Sequence, residues 1–389
     1  MRLAYDHQIF CLQKVGGISR YFCKLIEQLN KLDQATRVFA PRYRNQYLQR
    51  LPRQSVQGRQ VADYPRYCAD LAVAVNGYVS RSQLKAWQPD LVHETYFSKV
   101  RSGPTNRPSI VTVFDMIGEL GLEGAPPTFA QMKATNKYAA VSRADHVVCI
   151  SEQTRQDLIR LFNIQPEKVL TIHLGCDQER AVAAAQESGE STARLSAMLS
   201  ARLSSSRPYF LYVGLRQGYK NFAGLLHSIA SSSRLTSGFD VIAFGGGAFT
   251  IDEQALLTEL KFDPEQIKQI SGDDLTLTQL YQQASAFVYP SLYEGFGLPP
   301  LEAMLHHCPV ASSQASAMPE VLGDAAEFFD PNQIDSIAQA LERVAFSNDR
   351  RQELITKGVE RLKAFTWQAC AERHLSLYQS VAASYVSRQ

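Results

Sequence analysis

An α/β protein of two parallel-sheet domains is what the amino-acid sequence predicts, on three observations. Short β-type runs alternate with helix-type segments, the pattern of βαβ units around a parallel sheet. The alternation lapses over 181–207, a stretch rich in Ala, Ser, Glu and Arg, and then resumes. The length, 389 residues, exceeds one ordinary domain and suits two of similar size divided near residue 180.

In chain order, a strand at 3–5 precedes a Gly-Gly loop at Gly16-Gly17. Residues 91–93, 109–114, 146–150 and 169–173 read as short buried strands, each ending in polar or Gly residues before a helical pattern. After the lapse, 208–213 is a strand that ends at Gly214. Another, 239–244, ends in Gly245-Gly246-Gly247, and a third, 286–289, ends at Pro290-Ser291. The segment 371–386 is helical in pattern. No short-period repeat is present, which sets a solenoid aside. Ligands of open parallel sheets bind at the carboxyl ends of strands, so the informative residues should follow each strand.

Composition narrows the function classes. Apolar residues make up 45% and charged residues 20%, which excludes a largely disordered chain. A formal net charge of +2 gives no case for nucleic acid as a partner. The seven cysteines (Cys11, Cys23, Cys68, Cys149, Cys176, Cys308 and Cys370) are scattered and form no CxxC, so neither a disulfide framework nor a zinc site is expected. The N-terminal residues show no signal-peptide pattern, and the apolar stretch 71–79 is interrupted by Asn76 and too short to span a bilayer. The expected location is the cytoplasm, with work at a membrane surface left open.

The most informative segment is 289–304, YPSLYEGFGLPPLEAM. A strand enters a loop with Gly295 and Gly297, which allow tight turns and close backbone approach. A helix then starts near Pro299-Pro300, where proline is tolerated. Its free amides can hold a phosphate. Glu294 and Glu302 flank that loop, and two carboxylates there suit a polyhydroxylated, phosphorylated ligand. The plainer reading is a tight connection with two surface glutamates. The segment 212–221, YVGLRQGYKN, also follows a strand, and its Arg216 and Lys220 are cations that could meet a departing diphosphate. Two solvated surface cations are the alternative. Gly16-Gly17 precedes a helix as a possible phosphate cradle but lacks dinucleotide spacing and a Walker lysine.

Taken together, these segments resemble a retaining glycosyltransferase of family 4, of GT-B architecture. The carriers are the E-x7-E element Glu294 to Glu302, YVGLRQGYKN, the Gly16-Gly17 loop and VVCISEQTRQDL at 147–158. TIHLGCD at 171–177, PEVLGDAAEFFDP at 319–331 and FTW at 365–367 add to it. The YKN variant is similar to bacterial enzymes that build mannose- or rhamnose-containing surface polysaccharides.

The resemblance implies two Rossmann-like domains facing across a cleft. The acceptor side would be 1–178 with 371–389, and the nucleotide-sugar side 179–370, with 179–207 a linker or peripheral helix. The C-terminal helix would cross back to the first domain. Glu294 would contact hydroxyls of the transferred sugar and Glu302 the ribose. Backbone amides of Gly295, Phe296, Gly297 and Leu298 would hold the sugar and diphosphate. Arg216 and Lys220 would stabilise the leaving group, Gly16 and Gly17 would approach the phosphate, and the base would lie near 270–275. Phe114 stands where many members have a histidine, which leaves Asp115 and Glu119 as acceptor-side candidates. Their alternative is a polar strand-end cap. His93 is a third candidate, with a structural histidine as its plainer reading.

The implied reaction is metal-independent front-face substitution with retention, needing no cofactor beyond the nucleotide-sugar substrate. Asp273-Asp274 is adjacent rather than spaced as DxD and reads as a helix N-cap. GDP-mannose is the first donor expectation and a glycan or lipid-linked glycan the acceptor. UDP- or dTDP-sugar transfer, a GT-B epimerase or phosphorylase, and a non-catalytic nucleotide-sugar-binding protein are the alternatives. Between 42 and 67, six arginines alternate with tyrosines against Asp63 alone, which suits an anionic membrane surface or lipid diphosphate. A solvated loop is the alternative there.

Overall fold

The computed structural model describes residues 1–64, 69–122, 127–177 and 207–387. The expected linker 179–207 therefore lies almost wholly outside the described residues, as do Arg66, Tyr67 and Cys68. The chain forms two compact units, Met1–Gly175 with Trp367–Gln389, and Cys176–Thr366. Both are parallel-sheet, Rossmann-like units.

The first unit holds seven strands, β1 (Arg2–Tyr5), β2 (Ala35–Tyr43), β3 (Val56–Gln60), β4 (Leu91–Glu94), β5 (Ser109–Val113), β6 (His146–Cys149) and β7 (Val169–Thr171). Their order across the sheet is β3-β2-β1-β4-β5-β6-β7, and every pair is parallel. β5 is buried at all five positions, as a parallel strand covered by helices on both faces must be. β3 and the last two residues of β2 fall inside the segment 42–67, for which the sequence leaves a solvated loop open. Pro41 and Arg37 within β2, and a register shift between Phe39 and Arg42, break the apolar run that would have announced them.

The second unit holds β8 (Tyr209–Val213), β9 (Asp240–Phe244), β10 (Ile267–Ile270), β11 (Ala286–Tyr289), β12 (Val310–Ser313) and β13 (Glu327–Phe329), in the order β10-β9-β8-β11-β12-β13. The chain builds outward from β8 to β10, then restarts on the other side with β11. The switch point lies between β8 and β11, and the crevice outside their carboxyl ends is where such sheets bind ligands. The loops that follow these two strands are 214–221 and 290–297, the two segments singled out above. The core beneath is aromatic and aliphatic, with Phe210, Phe222, Val241, Ala286 and Leu341 among its enclosed side chains.

The C-terminal helix Trp367–Val386 returns to the first unit and packs on the helix Gly17–Lys31. Hydrogen bonds fix it there. The Tyr21 hydroxyl lies 2.8 Å from His374 Nε2, and the Tyr378 hydroxyl lies 2.7 Å from His93 Nδ1. At the crossing point a Cβ on Gly175 would lie 2.4 Å from the Trp367 backbone nitrogen, so only glycine fits.

Candidate functional site

In the second unit the residues after β8 turn through a short 3₁₀ segment, Gly218–Lys220, into the helix Phe222–Ser231. Asn221 makes the turn in the left-handed region (φ 56°), a conformation asparagine adopts more readily than most residues. Its side-chain amide donates to the carbonyls of Pro290 (3.2 Å) and Pro331 (2.9 Å). The Leu292 amide donates to the Tyr219 carbonyl at 2.7 Å. These bonds tie the two ligand-side loops together and bring Lys220 to Glu294.

Lys220 Nζ lies 2.6 Å from Glu294 Oε1, and both side chains are largely enclosed. The ammonium also sits over the rings of Tyr219 and Tyr289. Glu294 takes one of three N–H donors of the lysine, so two remain for a further acceptor. Burial, and then the charge of Glu294, push the Tyr289 phenol well above its usual range. Tyr289 is therefore a neutral wall here. The Glu294 backbone is held by Ser316 Oγ, which donates to its carbonyl at 2.7 Å.

Beyond Glu294, Gly297 caps the helix Leu298–Leu305 with φ 98°. A Cβ there would be strained by the backbone and would lie 2.5 Å from Met318 Cε. Gly295 and Phe296 are buried, and the Phe296 ring packs edge-on against Phe365 at 5.7 Å. Leu298 is the first helical residue, followed by Pro299 and Pro300, which tolerate a helix start but have no N–H, so Gly297 and Leu298 carry the amides that the helix itself does not use. Glu302 stands in the second turn, half-buried, close enough to Tyr281 to raise its phenol further after burial.

Arg216 is placed differently from Lys220. Its guanidinium is buried, with Nε 2.8 Å from Glu253 Oε1 and Nη2 3.1 Å from Oε2. Nη1 donates to the Gly245 carbonyl (2.9 Å) and Nη2 to that of Ala248 (3.0 Å). The group stacks over Phe249 at 4.8 Å. Four N–H bonds thus commit Arg216 to Glu253 and to the carbonyls of Gly245 and Ala248. Burial alone would raise the Glu253 carboxyl, but bonds from Arg216 and the Thr250 amide bring it below its usual value. The triple glycine passes close against the arginine, since a Cβ on Gly246 would lie 2.7 Å from Arg216 Nη1. Sequence reasoning missed Glu253. Its signal was the capping box with Thr250 at the start of the helix Ile251–Glu259. Asp273 behaves as an N-cap, accepting from the Thr276 amide at 2.9 Å.

In the first unit, Gly16 caps the helix Gly17–Lys31 in an extended conformation. Gln13 Oε1 accepts from the Ser19 amide at 3.1 Å and occupies the space a Cβ on Gly16 would need. Over Gly17 the space is open. After β5, Asp115 Oδ1 accepts from the Ile117 amide at 3.1 Å, a strand-end turn. Glu119 pairs at 2.6 Å with Lys137, whose ammonium also donates to the Asp115 carbonyl at 2.9 Å. Asp115, Glu119 and Lys137 line a cavity of about 100 Å³ with Phe114, Tyr96 and Asn136. Lys137 and Asn136 come from the helix Pro127–Arg143 and carried no sequence signal, because a lysine inside a helix normally reads as surface.

His93 does not join that cavity. It is 1% exposed, with Nδ1 bonded to Tyr378 and Nε2 2.8 Å from Thr112 Oγ1. Burial, with the charge of His374 adding to it, holds its imidazole well below the usual histidine range. The structure places His93 in the seam between the sheet and the C-terminal helix.

The two units match two family models in tandem. "Glycosyltransferase Family 4" matches residues 15–180, and "Glycosyl transferases group 1" matches residues 200–361. The chain belongs to the family 4 glycosyltransferases. It is 29% identical over 246 residues to O-antigen chain mannosyltransferase B of Escherichia coli, covering 62% of each chain. It is 26% identical over 262 residues to the serotype-specific mannosyltransferase WbdA of E. coli, covering 62% of this chain and 29% of that one. The chain thus spans less than two thirds of the length of these relatives. Among solved structures, Anabaena HepE in complex with UDP and glucose superposes with a TM-score of 0.69 at 15% identity, over 97% of this chain and 99% of that one.

Proposed function

We propose that the chain is a retaining glycosyltransferase that moves a hexose from a nucleotide sugar to a glycan or lipid-linked glycan. The observation that carries this reading is the Lys220–Glu294 pair, set at the switch point beside the start of the helix Leu298–Leu305. Glu294 would accept hydrogen bonds from sugar hydroxyls. Lys220 would offer its remaining donors to the diphosphate, and the backbone amides of Gly297 and Leu298 would take the rest of that charge. Glu302 is assigned to the ribose. The route needs no metal because Lys220 and the backbone amides meet the leaving charge.

In the proposed step the C1–O bond to the diphosphate breaks as the acceptor oxygen bonds C1 on the same face. The acceptor's proton passes to a diphosphate oxygen. The acceptor sugar is assigned to the cavity of Phe114, Asp115, Glu119 and Lys137, where an aromatic wall and an anchored ion pair can orient hydroxyls. Arg216 acts by holding the glycine loop rather than by touching the donor, given the bonds that already engage it. Mannose from GDP-mannose is the first assignment, supported by the mannosyltransferase names among the relatives. The reaction is placed in the cytoplasm, at the inner face of the membrane when the acceptor is lipid-linked, with the arginines after residue 42 toward the bilayer.

The test is thermal stabilisation by GDP-mannose, UDP-glucose, UDP-N-acetylglucosamine and dTDP-rhamnose, beside the bare nucleotides. A shift confined to one base identifies the donor class through ligand linkage. A shift with UDP compounds and none with GDP-mannose would overturn the mannose assignment, and no shift with any compound would count against nucleotide-sugar binding itself.

A further inference from the structure

The helix Ala69–Trp87 covers one face of the first sheet and leaves the other side bare. On that bare side Leu71 is 64% exposed, Val75 53% and Tyr78 76%. Positions i, i+4 and i+7 fall on one face of a helix, so these three form a continuous apolar stripe about 10 Å long. The opposite face is used in packing. Asn76 is buried and both accepts from the Arg42 amide (2.8 Å) and donates to its carbonyl (2.7 Å), and Ser80 Oγ donates to the Phe39 carbonyl. The stripe is therefore not a core face left short of a partner within its own unit.

Cations outnumber acids along this helix, whose one acidic residue is Asp70. Arg81 and Lys85 continue the same exposed face toward the helix C-terminus, and no acidic residue occurs from Leu71 to Trp87. Arg42, whose backbone is bonded to Asn76 of this helix, is exposed, and no acidic residue occurs from 42 to 62. The nearest acid after it, Asp63, is already paired with Lys14 (2.8 Å) and Arg44 (3.2 Å). Large apolar side chains at an exposed helix face, flanked by an excess of cations, match the interface of a bilayer carrying anionic headgroups. No described helix is long and apolar enough to cross a membrane. The helix would lie in the interface plane.

We infer that the face formed by Leu71, Val75 and Tyr78, with Arg42, Arg81 and Lys85 around it, docks the protein on an anionic phospholipid surface by shallow apolar insertion. This assigns an insertion face that the proposed sugar transfer does not itself require, and it is read out on lipid alone.

The experiment is co-sedimentation of the full chain with vesicles of phosphatidylcholine, and of phosphatidylcholine with roughly one third phosphatidylglycerol. Light scattering and thermal melts are run on the same samples. Wild type should partition to the anionic vesicles, less so at about 0.5 M than at about 0.1 M salt. The triple variant Leu71→Ser, Val75→Ser, Tyr78→Ser should lose about tenfold or more in partitioning with an unchanged melt, since its side chains support no packing. Arg42→Gln, Arg81→Gln, Lys85→Gln should lose the preference for anionic over neutral vesicles. No sedimentation of wild type with anionic vesicles would overturn the inference, as would wild-type partitioning by the apolar variant. A dimer that the apolar variant converts to monomer, with no change in lipid binding, would assign the face to a second copy and overturn it too.

Discussion

Lys220 and Arg216 lie four positions apart, and their surroundings assign them different work. Lys220 keeps donors in reserve beside Glu294, whereas Arg216 spends its own on Glu253 and two loop carbonyls. Lys220→Ala should cut kcat by roughly 10²–10³-fold, as loss of one charge-stabilising donor does, and should also lower the denaturation midpoint, because it leaves the enclosed Glu294 without its cation. Arg216→Ala should instead cost about 3–5 kcal/mol of stability by urea denaturation, because it strands Glu253 and two carbonyls. Full stability with weakened nucleotide binding in that variant would show that Arg216 touches the donor after all. His374 makes a third residue-scale test. Burial lowers its imidazole to about 4, against the bond to the Cys370 carbonyl. The unfolded chain therefore takes up a proton near the ordinary histidine value of 6.5 that the folded chain refuses. The stability tied to this group is complete above that pH and declines as pH falls toward 4. Glu94 acts with the opposite sign, since burial raises it to about 7 and its penalty fades as pH falls. A His374→Gln variant should show a shallower fall in Tm between about pH 6.5 and 4.5 than wild type.

Among the elements, the loop and helix 290–305 show how much a sequence can announce. Four apolar residues of β11, a Pro-Ser stop, two glycines and two prolines each have a local physical meaning, and the strand, turn and helix start follow from them. Gly297→Ala should lower stability by about 1–2 kcal/mol through backbone strain at φ 98°, with a matching loss of nucleotide affinity as the helix start shifts. A stable Gly297→Ala protein with unchanged affinity would remove this turn from the site. Other elements were not legible. β10 (Ile267–Ile270) is an edge strand with Lys268 and Gln269 half-exposed, so its four residues carry no apolar run. β2 is broken by Pro41 and a register shift. The cavity beside Phe114 drew only Asp115 and Glu119 from the sequence. Lys137 reaches them from a helix 18 positions away from Glu119, a pairing fixed only by tertiary packing. His93 went the other way, since a histidine at a strand end cannot reveal from sequence that a helix 285 residues later will cover it.

Across the whole molecule, the chain builds one parallel sheet, leaves it at Gly175, builds a second, and returns at Trp367 to seal the first. Each sheet has a switch point, and in the second unit it is flanked by the residues that the sequence marks as chemical. Family membership rests on both units, because one model matches each. The central claim is that this assembly transfers a sugar with Glu294 at the reacting centre. The direct measurement supplies radiolabelled GDP-mannose and a membrane extract containing lipid-linked glycans to wild type and to Glu294→Ala, while nucleotide binding is followed in parallel. The account predicts labelled glycan with wild type and a loss of about 10³-fold or more with Glu294→Ala, nucleotide affinity changing by less than about threefold. Wild-type turnover by Glu294→Ala would contradict it, as would the absence of labelled product when the extract is supplied with each nucleotide sugar in turn.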